Sequence, residues 1–368
     1  MSPPPHRATD RLPAAPKIRV LVVEDSLVVR DFLTHILNSV PDFQVVGVAH
    51  DGEQAITMVR ETRPDVVTMD IHMPKMDGFE ATRRIMETQA TPIVIVSASS
   101  TVLETVTACR ALGAGAVAVE ARPFGFGHPE FEQSTAQLVE TLRLMAGIKV
   151  VRRWAQRDGT GMASHGKPLP APVRRGTIRL AAIGASTGGP AALATILAKL
   201  PPELPFPVVI VQHICDGFTA GLAEWLGQVS SLPVRVAAAG ELLRAGQIYI
   251  APSGVHLGVN ANLRATFGFG PLENGVRPAI SHLFRSVAGA CGSQAIAVLL
   301  TGMGVDGAAE LKWVRDAGGI TVAQDEASSI VHGMPGEAIR LGSAEQVLRP
   351  EAIGALLRSY GSKTHLGS

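Results

Sequence analysis

Aromatic residues make up only 4% of the 368-residue chain, and its three cysteines, Cys109, Cys215 and Cys291, lie far apart. That usage fits neither a secreted disulfide framework nor a zinc site and points to a reducing, cytoplasmic setting. Long hydrophobic runs are missing too. Stretches such as Ile18–Val23 and Pro207–Val211 fall far below the roughly 18 apolar residues that cross a bilayer, so no membrane insertion is expected. Met1–Pro16 is proline-rich without a signal peptide's apolar centre, and reads as a short disordered tail. Net charge is nearly absent. A formal +1 argues against nucleic acid as a partner held by overall charge. What is present is apolar material, 46% of residues against 18% charged. That supplies a globular core over a length of about two domains.

The charge is unevenly placed. Residues 17–142 carry 10 basic and 17 acidic side chains, residues 143–176 carry 8 and 1, and residues 177–368 carry 13 of each. This divides the chain into a domain at 17–142, a basic linker at 143–176 and a domain at 177–360. The linker contains Arg152, Arg153 and Arg157, then Gly159, Gly161, Pro168, Pro170 and Pro172. Its start, Leu144–Trp154, has helical spacing; its end has the composition of flexible chain. The basic stretch is a solvated segment, or it docks onto the acidic block or a membrane surface.

In the first block, Ile18–Val23, Gln44–Ala49, Asp65–Met69, Ile93–Ser97 and Ala116–Val119 read as strands separated by helical spacing, such as Leu27, Phe32 and Ile36. Repeated βαβ units predict a parallel sheet covered on both faces, with its working site at the carboxyl ends of the strands. Glu24 and Asp25 follow the first strand and Asp70 the third. Converging carboxylates repel unless a cation neutralises them, and a hard divalent ion suits oxygen ligands. One carboxylate could then accept a phosphoryl group beside the metal, with Ser97, at the end of the fourth strand, hydrogen-bonding it.

The segments Val22–Ser26, Met69–Gly78 and Ile95–Ala98, in that order, resemble the signatures of response-regulator receiver domains. The resemblance implies a flavodoxin-like fold, Asp70 as phosphoacceptor, and Glu24, Asp25 and Asp70 as Mg²⁺ ligands. It assigns His72 only a backbone carbonyl. One position departs: Arg122, before Pro123, stands where receivers carry a lysine, and a planar fork replaces a compact charge.

The second block again alternates, with strands expected at Ile178–Ile183, Val208–Gln212, Gln247–Ile250, Ala295–Leu300 and Ile320–Ala323. Helices are expected at Ala191–Leu200, Gly221–Gln228, His282–Ala290 and Gly307–Asp316. This predicts a second α/β domain with a mainly parallel sheet, and no basic recognition helix stands out. Gly184-Ala185-Ser186-Thr187-Gly188 matches G-x-S-x-G between a strand and a helix, with Pro190 near the first turn. Such a turn exposes a serine nucleophile or, alternatively, cradles an anion. A serine nucleophile needs a base, and the base an orienting acid. His213 ends the next apolar run, and Asp306 sits in the glycine-rich loop after Ala295–Leu300. One sheet edge can therefore gather Ser186, His213 and Asp306. The order Ser…His…Asp departs from the Ser…Asp…His of α/β-hydrolases.

Ile183–Pro190, Gln212-His213, Gly217–Thr219, Tyr249–Pro252, Leu300–Ala308, Ala323–Ser328 and Gly333–Pro335 resemble the chemotaxis-type protein-glutamate methylesterase/protein-glutamine glutaminase. That resemblance implies hydrolysis of glutamate γ-methyl esters, and glutamine deamidation, on the cytoplasmic domains of methylated chemoreceptors. It implies no cofactor for hydrolysis, an oxyanion site from Met303 N–H and Thr187, and a chemosensory histidine kinase as phosphoryl donor. An unphosphorylated receiver would cover the active-site edge. Cys215 and Asp216 stand where the family often has prolines, and Ser281-His282 where an acidic residue is common. His256 and His282 are secondary candidates for the base. The competing classes are a phosphorylation-controlled binding protein that has lost catalysis, a general esterase or peptidase, and a DNA-binding regulator.

Overall fold

The computed structural model describes residues 16–97, 102–148, 150 and 177–361. The N-terminal tail up to residue 15 and the glycine- and proline-bearing part of the linker lie outside the described residues. The first unit runs β1 (Ile18–Val23), α1 (Leu27–Ser39), β2 (Phe43–Ala49), α2 (Gly52–Thr62), β3 (Val66–Met69), α3 (Gly78–Thr88), β4 (Ile93–Ser97), α4 (Val102–Ala114), β5 (Ala118–Ala121) and α5 (Phe131–Ala146). All its strands are parallel, in the order β2-β1-β3-β4-β5, the flavodoxin-like arrangement. β3 and β4 are buried along their whole length, which is why they read as unbroken apolar runs. Helix starts follow local chemistry. Asp51 and Asp77 cap α2 and α3 by accepting the N–H of Gln54 and Glu80 at 2.9 and 2.8 Å.

Some expectations for this unit need correction. The fifth strand begins at Ala118 instead of Ala116. Ala116 N–H still closes the end of α4 onto Ala111 O, so pairing starts only after that turn. The helix expected at Leu144–Trp154 does not start there. Leu144–Ala146 is the last turn of α5, which ends at Gly147, and Val151–Trp154 lies outside the described residues. Leu144, Ala146, Ile148 and Val150 keep the segment apolar past the end of the helix because they pack on the first unit's core. Arg143 likewise belongs to α5, where it pairs with Asp42 at 2.8 Å.

The second unit runs β6 (Leu180–Ala185), α6 (Gly189–Leu197), β7 (Val208–Gln212), α7 (Thr219–Val229), β8 (Val234–Val236), β9 (Ile248–Ile250), β10 (His256–Val259), β11 (Ala265–Gly268), α8 (Ile280–Cys291), β12 (Ala295–Leu299), α9 (Ala308–Asp316), β13 (Ile320–Gln324), α10 (Met334–Arg340), β14 (Gln346–Leu348) and α11 (Pro350–Gly361). Seven parallel strands form one sheet in the order β14-β13-β12-β6-β7-β9-β8, and β10 and β11 form a separate antiparallel pair. Alternate β6 residues face opposite layers. Ala181 and Ile183 join Leu193, Phe206 and Trp225, whereas Leu180 and Ala182 join Tyr249, Phe284 and Leu299. β6 starts two residues later than expected, at Leu180, so Ser186 stands immediately beyond its end. The chain order reverses between β6 and β12, and this switch point opens a crevice at the strand ends.

The units share buried apolar contacts. Val106 and Cys109 of α4 lie in the same cluster as Leu222 and Trp225 of α7. Phe218, fully buried, joins Ala111 and Leu112. Among the described residues, no helix is long and apolar enough to cross a membrane.

Gly184 leaves room for α8. A Cβ there would lie 2.3 Å from Ile280 Cγ2. Gly184→Ala should lower the unfolding free energy by about 1–3 kcal/mol through overpacking, read as an earlier denaturant midpoint.

Candidate active site and receiver site

The turn after β6 fixes Ser186 through its backbone. Ser186 N–H donates to Thr301 O at 3.1 Å, and Ser186 O accepts from Gly189 N–H and Gln212 Nε2, both at 2.8 Å. Gln212 Nε2 also donates to His213 O at 2.8 Å, so one amide ties the serine turn to the end of β7. Gly188 caps α6 with φ of 78°, a left-handed conformation that glycine adopts without steric cost. Pro190 occupies the first turn of α6, and the helix N-terminus favours developing negative charge nearby.

His213 Nε2 lies 3.0 Å from Asp306 Oδ2. The same carboxylate oxygen accepts Ile280 N–H at 2.6 Å. Its partner Oδ1 accepts Ser281 N–H at 3.1 Å and Asn274 Nδ2 at 2.9 Å. Burial would push the Asp306 carboxyl up, but the hydrogen bonds from His213, Ser281 and Asn274 outweigh it and hold it at about 2. A carboxylate in this state stays ionised and fixes its imidazole's orientation.

Ser186 and His213 line one cleft of about 540 Å³, together with Thr187, Asn274, Met303 and Gly304. The three residues expected to share a strand-end edge thus stand at the ends of the adjacent strands β12, β6 and β7. Thr187 and Met303 lie on the same wall. His256 and His282 do not. They stack with centroids 5.0 Å apart. His256 is engaged with Pro271 O at 2.9 Å and Ala279 N–H at 3.2 Å, and His282 with Glu273 at 3.2 Å. Gln212 and Ser281, named above only as members of longer segments, hold the serine turn and the Asp306 carboxylate, and Asn274, which the sequence did not single out, meets the same carboxylate.

The opposite wall of the cleft is the first unit, contributing Glu120, Gln137, Thr141 and Met145. Cys215 Sγ donates to Val119 O at 3.1 Å and Glu120 Oε2 at 3.2 Å. Thr141 Oγ1 donates to the other Glu120 oxygen at 2.6 Å. Burial raises both the Glu120 carboxyl and the Cys215 thiol above their usual ranges, so this contact is a neutral thiol donating to a carboxyl group.

In the first unit, Glu24, Asp25 and Asp70 bring carboxylate oxygens within 4.8 Å of one another. Burial and the neighbouring Asp70 charge push Glu24 up to about 7. Burial also raises Asp70, against the opposing charge of Arg122. Arg122 Nη2 is 3.3 Å from Glu24 and 3.8 Å from Asp70. One guanidinium nitrogen does not offset this density of negative charge, and the all-oxygen donor set fits a hard divalent cation such as Mg²⁺. Ser97 ends β4, where its carbonyl accepts Arg122 N–H at 2.9 Å. The His72 side chain is exposed.

The fold and these sites define a flavodoxin-like unit with an acidic strand-end site, joined to a second α/β unit whose cleft carries a serine and an aspartate-paired histidine. Residues 20–126 match the response regulator receiver domain family and residues 181–357 the CheB methylesterase family. A protein-glutamate methylesterase/protein-glutamine glutaminase from Nitrosospira multiformis is 52% identical over 340 residues, covering 92% of this chain and 96% of that protein. A Geobacter metallireducens protein of the same name is 47% identical, covering 93% and 98%. The catalytic domain of Thermotoga maritima CheB methylesterase, a solved structure, is 39% identical and covers 50% of this chain and 98% of that one, with a TM-score of 0.48. The chain belongs to the protein-glutamate methylesterase/protein-glutamine glutaminase family, chemotaxis enzymes of the carboxylic ester hydrolase class with a response-regulator receiver.

Glu24 generates a pH dependence. Its carboxyl keeps a proton up to about pH 7 when folded, against 4.5 when unfolded. The protonated group's contribution to stability is therefore complete below pH 4.5 and lost as pH rises through about 7. Without divalent cations, the denaturant midpoint should fall across that window, and Glu24→Gln should flatten the fall.

Proposed function

We propose that this chain hydrolyses glutamate γ-methyl esters on the cytoplasmic domains of methylated chemoreceptors and deamidates glutamine at equivalent sites. Phosphorylation at Asp70 by a chemosensory histidine kinase controls the reaction. The observation that carries the catalytic reading is the 3.0 Å His213–Asp306 pair on the cleft that also holds Ser186. Ser186 Oγ attacks the ester carbonyl carbon while its proton passes to His213. Because Nε2 faces Asp306, Nδ1 is the nitrogen left for that proton. The oxyanion accepts hydrogen bonds from Met303 N–H and from Thr187, each such donor being worth about 2.7–4 kcal/mol of barrier. As the C–O bond breaks, His213 returns the proton to methoxide, which leaves as methanol; from an amide, ammonia leaves. Water then attacks the acyl-serine carbonyl and gives a proton to His213, and as the C–Oγ bond breaks His213 passes that proton to Ser186 Oγ, which frees glutamate and restores the enzyme. Asp306 remains ionised throughout.

The regulatory part rests on a run of contacts between the two sites. Arg122 faces Asp70 and lies two residues beyond Glu120, which holds Cys215, two residues beyond His213. Glu24, Asp25 and Asp70 would hold Mg²⁺, which would supply the charge neutralisation that phosphoryl transfer to Asp70 needs. A phosphoryl group on Asp70 then competes for Arg122, shifts β5 and loosens the receiver wall of the cleft.

Ser186→Ala should lower methanol release from methylated receptor by at least about a thousandfold with an unchanged melting temperature. Persistent turnover would remove Ser186 from the mechanism. A small-molecule phosphoryl donor with Mg²⁺ should raise the rate of the intact chain but not that of Asp70→Ala. Equal rates with and without donor would rule out control by the receiver.

A further inference from the structure

Asp306 accepts two hydrogen bonds from the backbone of α8, at Ile280 and Ser281, and one contact from its imidazole partner. The remaining donor is Asn274, an exposed residue on the cleft wall whose side-chain amide reaches this carboxylate. A carboxylate can only accept, so the amide presents its NH₂ group to Asp306 Oδ1, at 2.9 Å. The same Nδ2 lies 3.1 Å from Ser281 Oγ, which in turn accepts Gly307 N–H at 3.0 Å, next to Asp306. We propose that Asn274 is a positioning residue of the hydrolytic reaction, holding Asp306 Oδ1 so that Oδ2 stays aimed at His213. This rests on the Ser186–His213–Asp306 reading above.

A structural alternative has to be separated from this role. Asn274 and Gly275 form a two-residue turn with φ of 51° and 81°. Glu273 and Val276 close it with reciprocal backbone hydrogen bonds of 3.1 and 3.0 Å. Asn-Gly, Asp-Gly and Gly-Gly all suit such a turn. If Asn274 served only the backbone, aspartate and glycine would replace it with little loss. If it serves as a donor, the two substitutions separate. Glycine removes the donor, and aspartate, nearly the same shape, adds a second anion next to Asp306.

The test measures methanol release from methylated receptor by the full-length chain, with melting temperatures for each variant. The expected order of kcat is wild type above Asn274→Gly above Asn274→Asp, with losses of about tenfold and about a hundredfold and KM changed by less than about twofold. In an Asp306→Asn background, Asn274→Asp should cause no further loss, because the two changes act through one group. Wild-type kcat in Asn274→Asp, a loss confined to KM, or an equal further loss in the Asp306→Asn background would each overturn the proposal. Full activity of Asp306→Asn alone would instead overturn the triad reading, so the two failures are told apart.

Discussion

One buried carboxylate constrains the arrangement of the catalytic unit. An ionised group taken out of water is costly unless its lone pairs are satisfied, and Asp306 is satisfied from three directions. The N-terminus of α8 supplies two backbone N–H groups, the turn before it supplies Asn274, and β7 supplies His213. These donors are distant in sequence from Asp306, and they converge on it only if α8 packs against the ends of β6 and β12. The small residue at Gly184 permits that approach, since a Cβ there would strike Ile280. Core packing and electrostatics thus specify the same geometry. The helix is seated by its apolar face, through Leu283, Phe284 and Val287, and is locked at its N-terminus by a charge.

The two acidic sites of the molecule show how donors, not residue type, set the state of a carboxyl group. Asp306 and Glu24 are both buried. Asp306 is held at about 2 because hydrogen-bond donors surround it and outweigh burial, whereas Glu24 is pushed up to about 7 by burial first and then by the neighbouring Asp70 charge, which its few donors do not offset. The first environment suits a carboxylate that must remain an anion while an imidazole gains and loses a proton. The second is a deficit of positive charge, which suits a site that takes up a cation. Arg122 covers the deficit only in part: Nη2 faces the acids while Nε is buried with no hydrogen-bond partner. A lysine ammonium has no counterpart to that unmatched donor, so the arginine changes the resting receiver as well as its charged neighbour.

Much of the fold was legible in the chain. Buried parallel strands read as apolar runs, and β1, β4 and β7 fall where those runs predict. What escaped was structure whose signal is weak or spatial. β8 and β14 are three-residue edge strands with one exposed position each, too short for a period. The β10–β11 pair holds His256 and Gly258 inside a buried strand, against ordinary strand composition. The helical spacing at Leu144–Trp154 misplaced a helix start, because Leu144–Ala146 is the last turn of α5 and the apolar Ile148 and Val150 beyond it pack on the same core. At the site, Ser186 and His213 were visible because each stands just beyond or at the end of an apolar run, and Asp306 because it sits in the glycine-rich loop that follows another. Asn274 was not: Asn-Gly reads as a turn, and nothing in the local sequence says that its amide meets a carboxylate 32 positions away.

The order of the catalytic candidates along the chain follows from sheet topology. β6 carries the serine turn and lies inside the sheet, flanked by β7 and β12. Any serine at its end has two neighbouring strand ends within reach, and the base and the acid must come from loops there or from elements packed above them. β7 is the next strand in the chain, so its terminal His213 follows Ser186 closely. β12 is reached only after β8, β9, the β10–β11 pair and α8, so Asp306 comes late. The intervening excursion also delivers Asn274 and the N-terminus of α8 to the carboxylate they stabilise. A Ser…His…Asp order is therefore what results when the strand after the nucleophile ends in the base, and when the strand on the other side arrives last, with a helix already in place to receive its charge.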